Sequence, residues 1–194
     1  MPPSPWMKKR LRKELERFVD CSHHGFQLLS PNPSKYTDSE LQEWNVVMSG
    51  MSLFDYKCIY FDDLYAIKSN SFNVCITLLK GPKNSVYHGE TYHIKAKFGD
   101  NYPMEPPAIV FTVDTNYKPP EHKHVYSNGL ICMSLLATDY SPALTLESLL
   151  VAIQSMLASA TKKEKPRDDG LFVRMYGYNP DPRKLKWDFH DEEC

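Results

Sequence analysis

The residues best suited to covalent chemistry lie in one short run. In His122-Lys123-His124-Val125-Tyr126-Ser127-Asn128-Gly129-Leu130-Ile131-Cys132, two histidines stand ten and eight positions before a cysteine. A thiol is intrinsically nucleophilic, and a thioester is a good acyl carrier. Free cysteine also packs as a small hydrophobe, so a buried core thiol is the competing reading. The context favours chemistry: Cys132 falls between a turn-forming Ser127-Asn128-Gly129 and a polar loop, not in mid-strand. Of the other cysteines, Cys58 and Cys75 read as strand residues, while Cys21 and Cys194 flank segment ends.

Other chemistries find little support. His122, His124 and Cys132 lack a fourth ligand at metal-site spacing, so no metal is expected. Five cysteines without a C-x-x-C pair argue for free thiols, against both a disulfide framework and a zinc ribbon. Serine-hydrolase, phosphate-loop and dinucleotide signatures are absent, and no paired carboxylates stand out for glycosidic chemistry.

Composition bounds the rest. The chain has 194 residues, 42% of them hydrophobic and 24% charged, with a net charge of −1. That length suits one domain with a real core plus extra segments. The near-neutral balance gives no reason to expect nucleic acid or an anionic membrane as partner. No apolar run is long enough to span a bilayer, and the N-terminal stretch has no apolar signal core. A reducing compartment, cytoplasm or nucleus, is therefore expected.

The elements that must position Cys132 read as follows. Ser4-Pro5 caps a helix in which Met7, Leu11, Leu15 and Phe18 recur at helical spacing to about Asp20. Lys8, Lys9, Arg10, Arg12 and Lys13 fall largely outside that stripe, as a solvated face would. Thr37 and Glu40 have capping-box spacing, which predicts a short helix near Ser39 to Met48. Strands are predicted at 56–61 and 72–81, at 92–99 and at 108–113. In 92–99, Tyr92, Ile94, Ala96 and Phe98 alternate with His93, Lys95 and Lys97, the pattern of a sheet with one wet face. Prolines exclude 102–107 from helix or central strand. Thr145 caps a helix burying Leu149, Leu150, Ile153, Met156 and Leu157. The segment 171–194 is open to three readings: short helix, partner-binding arm or flexible tail. The class is α+β with an antiparallel meander.

Taken together, 102–107, 122–136 and 140–145 resemble the core of the ubiquitin-conjugating enzyme family. There a His-Pro-Asn tripeptide precedes the catalytic cysteine and a Trp-Ser-Pro-Ala loop follows it. The resemblance covers about 5–20 and 66–160, and the C-terminal segment 162–194 is similar to the W-type branch. It implies a conjugating core at 1–160 with an N-terminal helix, a four-stranded antiparallel sheet, a cysteine loop and C-terminal helices. A long insertion of uncertain structure would occupy 22–65, and 161–194 would form a basic loop and variable tail. Trp44, Val46, Val47 and Met48, within that insertion, are expected to pack against the core.

The resemblance further implies an enzyme that accepts ubiquitin as a thioester on Cys132 and transfers it to amines, with His122 and His124 assisting. In the W-type branch those amines are substrate N-terminal α-amino groups. It implies no cofactor, because ATP is used by the upstream activating enzyme. Partners would be ubiquitin, the activating enzyme at Lys9, Arg10 and Lys13, a RING-type or related ligase at Met104, Ser141, Pro142 and Ala143, and protein substrates. Lysine-directed conjugation, a ubiquitin-like modifier, and a non-catalytic adaptor remain alternatives.

Three departures from the family pattern bear on amine choice. Lys123 and His124 replace the proline and asparagine, and a histidine N–H could serve an oxyanion or simply hold the loop. Tyr140 replaces the tryptophan. The segment after the capped helix, acidic in lysine-modifying relatives, is basic from Lys162 to Arg167, with Glu164 its one acid. Weak deprotonating help should favour an α-amine, whose reference pKa of about 7.7–8.0 lies well below the lysine value of about 10.4.

Overall fold

The computed structural model describes residues 5–20, 26–30, 43–49, 85–178 and 180–185. Helix α1 spans Pro5–Asp20. Its periodic residues Met7, Leu11 and Leu15 enter the core, as their spacing predicts. Each such burial removes a large apolar side chain from water and contributes about 1.5–3 kcal/mol before chain entropy is counted.

Four strands form one antiparallel sheet in sequence order: β1 Phe26–Ser30, β2 Glu43–Ser49, β3 Thr91–Lys97 and β4 Ala108–Phe111. The helix expected near Ser39 to Met48 is overturned from Glu43 onward, where the chain is strand β2. Its register runs from Glu43 opposite Lys97 to Ser49 opposite Thr91, while β1 pairs along its other edge. Two ladders and the burial of Val46 outweigh a local capping signal, and β-branched residues suit a pleated surface. The region 22–65, expected as an insertion, thus contains both β1 and β2. The strands predicted at 56–61 and 72–81 lie outside the described residues.

In β3, Tyr92, Ile94 and Ala96 face the core as expected, and Phe98 follows them inward. The opposite face is not uniformly wet. His93 is buried, with the Tyr117 ring at 4.9 Å across it. Burial, reinforced by Lys95, lowers its pKa.

Helix α2 spans Leu146–Ala158 and starts from a full capping box between Thr145 and Ser148. Leu149, Leu150, Ile153 and Leu157 are buried against the sheet cluster, with Met156 half-buried beside them. Glu14 staples α1 to the start of α2. This buried carboxylate accepts from Arg10 Nε (2.5 Å), Tyr102 Oη (2.5 Å) and the Leu146 N–H (2.9 Å).

Part of the stretch open to three readings is helical, and residues 186–194 lie outside the described residues. Helix α3 is Asp169–Tyr176, and a 3-10 turn follows at Pro182–Lys184. Phe172 of α3 joins Tyr126 and Leu130 in a second small core, with Val110, Cys132 and Leu185 at its margin. Among the described residues, no helix is long and apolar enough to cross a membrane.

Candidate active site

The run from His122 to Cys132 folds into a small irregular hairpin that places the cysteine. Val125 bridges to both His122 and Ile131, and Tyr126 N–H donates to the Leu130 carbonyl at 2.9 Å. The tip is Ser127-Asn128, closed by Gly129 N–H on the Tyr126 carbonyl at 2.9 Å. Gly129 has φ +89°, and a Cβ there would lie 2.0 Å from the Phe111 carbonyl oxygen. Only glycine allows this turn to press against β4, whose Phe111 N–H donates to the Gly129 carbonyl at 2.8 Å. Cys132 sits on the return limb, half-buried, with a thiol outside any disulfide.

His124 brackets Cys132 twice. The Cys132 N–H donates to the His124 carbonyl at 2.8 Å, and His124 Nδ1 lies 3.1 Å from the Cys132 carbonyl. A carbonyl only accepts, so Nδ1 carries the proton. In the neutral ring Nε2 then carries no proton. The neutral ring can take a proton; it can donate from Nε2 only when charged.

His122 serves a different end. It is 3% exposed, accepts the His124 N–H on Nδ1 at 3.1 Å, and is hydrogen-bonded to the Met156 backbone. Its ring stacks on His124 at 5.3 Å. Burial, then the neighbouring His124 and Lys123, draw its pKa down to about 4. A neutral imidazole with its ring engaged by backbone holds the hairpin's first limb and orients His124.

The two histidines and Lys123 line a cleft of about 340 Å³, closed on the far side by Met156, Thr161, Lys162 and Glu164. The structure thus brings the predicted selectivity residue Glu164 to the same cleft as His122 and His124. Glu164 is ion-paired with Lys162 at 2.7 Å, and that contact holds its carboxyl below the usual range. The basic loop is also less bare than its sequence suggests. Lys163 pairs with Glu90 and lies over the Tyr87 ring, and Lys165 approaches Glu121 at 3.9 Å. Glu90 and Glu121 are distant in sequence, so no local signal announced them.

The ligase-facing candidates gather on one surface. Tyr140 Oη donates to the Pro103 carbonyl at 3.0 Å, which draws the exposed Met104 toward the exposed Ser141, Pro142 and Ala143. The residue that replaces tryptophan therefore acts as a tie between two loops. Of the three α1 cations expected to meet the activating enzyme, Lys9 and Lys13 are exposed, whereas Arg10 is committed internally to Glu14 and, at 2.9 Å, to the Leu144 carbonyl.

Sequence reasoning missed the support beneath the hairpin tip. Asp169 of α3 accepts from Ser127 N–H at 2.7 Å and Ser127 Oγ at 2.6 Å. Asn128 Nδ2 donates to the Gly177 carbonyl at 2.9 Å, and the Tyr126 ring stacks on Phe172 at 3.7 Å. The turn residues were visible in the sequence, but their partners lie more than forty positions later.

An antiparallel sheet sharing its core with two helices, and a half-buried cysteine on a tied hairpin, suit an enzyme that carries an acyl group on sulfur. A family profile described as ubiquitin-conjugating enzyme matches residues 60–182, and the chain belongs to that family. It is similar to the probable ubiquitin-conjugating enzyme E2 W-A of Danio rerio, with 41% identity over 116 residues, covering 60% of this chain and 74% of the relative. The ubiquitin-conjugating enzyme E2 W of Caenorhabditis elegans is 40% identical over 112 residues, covering 58% of this chain and 70% of the relative. Among solved structures, ubiquitin conjugating enzyme E2 UbcA1 of Agrocybe aegerita superposes with a TM-score of 0.63 at 31% identity, covering 86% of this chain and 92% of that one. The chain is thus an E2 enzyme working through a thioester intermediate, with the W-type enzymes among its relatives.

Proposed function

We propose that Cys132 is the thioester-forming thiol and that the acceptors are substrate N-terminal α-amino groups. The Cys132 sulfur attacks the carbonyl of ubiquitin's C-terminal glycine, held as a thioester on the activating enzyme, and that enzyme's thiol leaves. The acceptor nitrogen then attacks the new thioester carbonyl, the Cys132 thiolate leaves, and the amine gives up a proton as the amide forms. Lys9 and Lys13 would meet the activating enzyme, and Met104 with Ser141, Pro142 and Ala143 would meet a RING-type or related ligase.

One observation carries the amine preference. Among the described residues lining the cleft that His124 shares, the single carboxylate, Glu164, is ion-paired with Lys162, which lowers its pKa and makes it a weak base for a lysine ammonium. A neutral α-amine needs less help. Near neutral pH its free-base fraction exceeds that of lysine by roughly a few hundredfold.

The test charges the protein with activating enzyme, ATP and ubiquitin and follows the adduct with and without reductant. The expected result is a reducible adduct that Cys132→Ala abolishes, discharging faster to a peptide whose only amine is its N-terminus than to free lysine. Faster discharge to lysine would overturn the amine preference. No adduct with ubiquitin or any ubiquitin-like modifier would overturn the assignment of Cys132.

A further inference from the structure

The hairpin that carries Cys132 is anchored at its far end by an element with no other evident task. Helix α3 reaches the tip through three separate contacts. Asp169 takes both the N–H and the hydroxyl of Ser127, at 2.7 and 2.6 Å. The Gly177 carbonyl, past the helix end, takes the Asn128 amide at 2.9 Å. Between them the Phe172 ring lies flat on Tyr126, 3.7 Å away at an interplanar angle of 14°. Tyr126 Oη also approaches Asp168 at 3.4 Å.

From these contacts we infer that α3 is a clamp on the cysteine hairpin, with Asp169 and Ser127 as positioning residues for transfer from Cys132. The inference rests on the reading of Cys132 as the thioester-forming thiol.

The path from clamp to sulfur is short and continuous. Ser127-Asn128 joins the outgoing limb, which carries His124, to the return limb, which carries Cys132. The limbs are tied at Tyr126–Leu130, Val125–Ile131 and His124–Cys132. A tip free to rock would shift one limb against the other and move Cys132 relative to His124 and the cleft. Asn128 is 2% exposed, and its Oδ1 accepts the Leu130 N–H at 3.3 Å, so one buried side chain links α3 directly to the return limb. The carboxylate of Asp169 accepts two hydrogen bonds from one residue, which fixes direction as well as distance.

Holding the thioester in register with the incoming amine is where such placement matters, because small misplacements of reacting atoms slow transfer strongly. Charging is less exposed to it, since the activating enzyme itself presents the ubiquitin carbonyl to the thiol.

The experiment uses the full chain and four variants, Asp169→Ala, Ser127→Ala, the double variant and Ser127→Thr. Each is charged with ubiquitin and chased with increasing concentrations of the better acceptor, a peptide with only an N-terminal amine or free lysine. Unfolding midpoints confirm that each variant is folded at the assay temperature. Asp169→Ala and Ser127→Ala are each expected to lower the maximal discharge rate roughly ten- to a hundredfold while charging and the half-saturating acceptor concentration stay unchanged. The double variant should lose no more than Asp169→Ala alone, and Ser127→Thr, which keeps the hydroxyl, should retain near-native transfer. Native discharge in both single variants, or losses that multiply in the double, would overturn the clamp while leaving the Cys132 assignment intact. A native chain that forms no adduct at Cys132 would remove both.

Discussion

At the scale of single residues, hydrogen-bond direction decides more than residue type. His124 could not be assigned a role from its position alone, because an imidazole can donate, accept or fill space. Its Nδ1 faces a carbonyl, and that fixes the tautomer. His124→Asn should leave thioester formation intact and raise discharge to lysine relative to the α-amine. Single-turnover discharge to each acceptor measures this, and an unchanged ratio would reduce His124 to a loop residue. Gly129 offers a second test. Gly129→Ala forces a Cβ to within 2.0 Å of the Phe111 carbonyl oxygen at a φ that side chains rarely adopt. The expected cost is about 2 kcal/mol or more, read as a lower urea midpoint with an unchanged slope.

At the scale of elements, junctions between helices, strands and loops carry the stability that propensities leave open. Glu14 joins α1, α2 and the Tyr102 turn through three hydrogen bonds. Its environment keeps Tyr102 protonated: burial, then the Glu14 carboxylate, raise the phenol pKa far above its ordinary value. Glu14→Ala strands a buried hydroxyl and a helix-start N–H, removes the Arg10 ion pair, and should cost about 3 kcal/mol. Tyr102→Phe removes one donor and should cost about 1 kcal/mol. Chemical denaturation of both variants tests the order, and an equal loss would deny Glu14 its role as the hub. The same logic explains β2. A capping-box spacing favours helix locally, yet Glu43–Ser49 is sandwiched between two strands.

At the scale of the whole molecule, two buried histidines make stability depend on pH. His122, brought down to about 4, and His93, also lowered, both bind fewer protons folded than unfolded. Their folded pKa values lie below the unfolded value of about 6.5, so the stability they contribute is complete above that pH. It is lost as pH falls from about 6.5 toward 4. Thermal midpoints should therefore drop across that window, with a shallower drop in His122→Asn, which keeps an acceptor for the His124 N–H. A midpoint flat from pH 7 to 4.5 would contradict the buried, neutral state of both rings.

By itself the sequence determined what local periodicity and spacing can carry. That includes α1 from Met7, Leu11 and Leu15, α2 from Thr145 and its leucines, β3 and β4, and Cys132 as the residue to examine. These signals survive because each is written in neighbouring residues. The tertiary structure decided what depends on residues far apart in the chain. It made 43–49 a strand, tied Glu14 to Tyr102 and the Leu146 N–H, gave Lys163 and Lys165 their partners in Glu90 and Glu121, and set Asp169 under Ser127. The physical reason is common to all four: an ion pair, a hydrogen bond or a strand ladder between distant residues has no sequence signature until folding brings its two halves together.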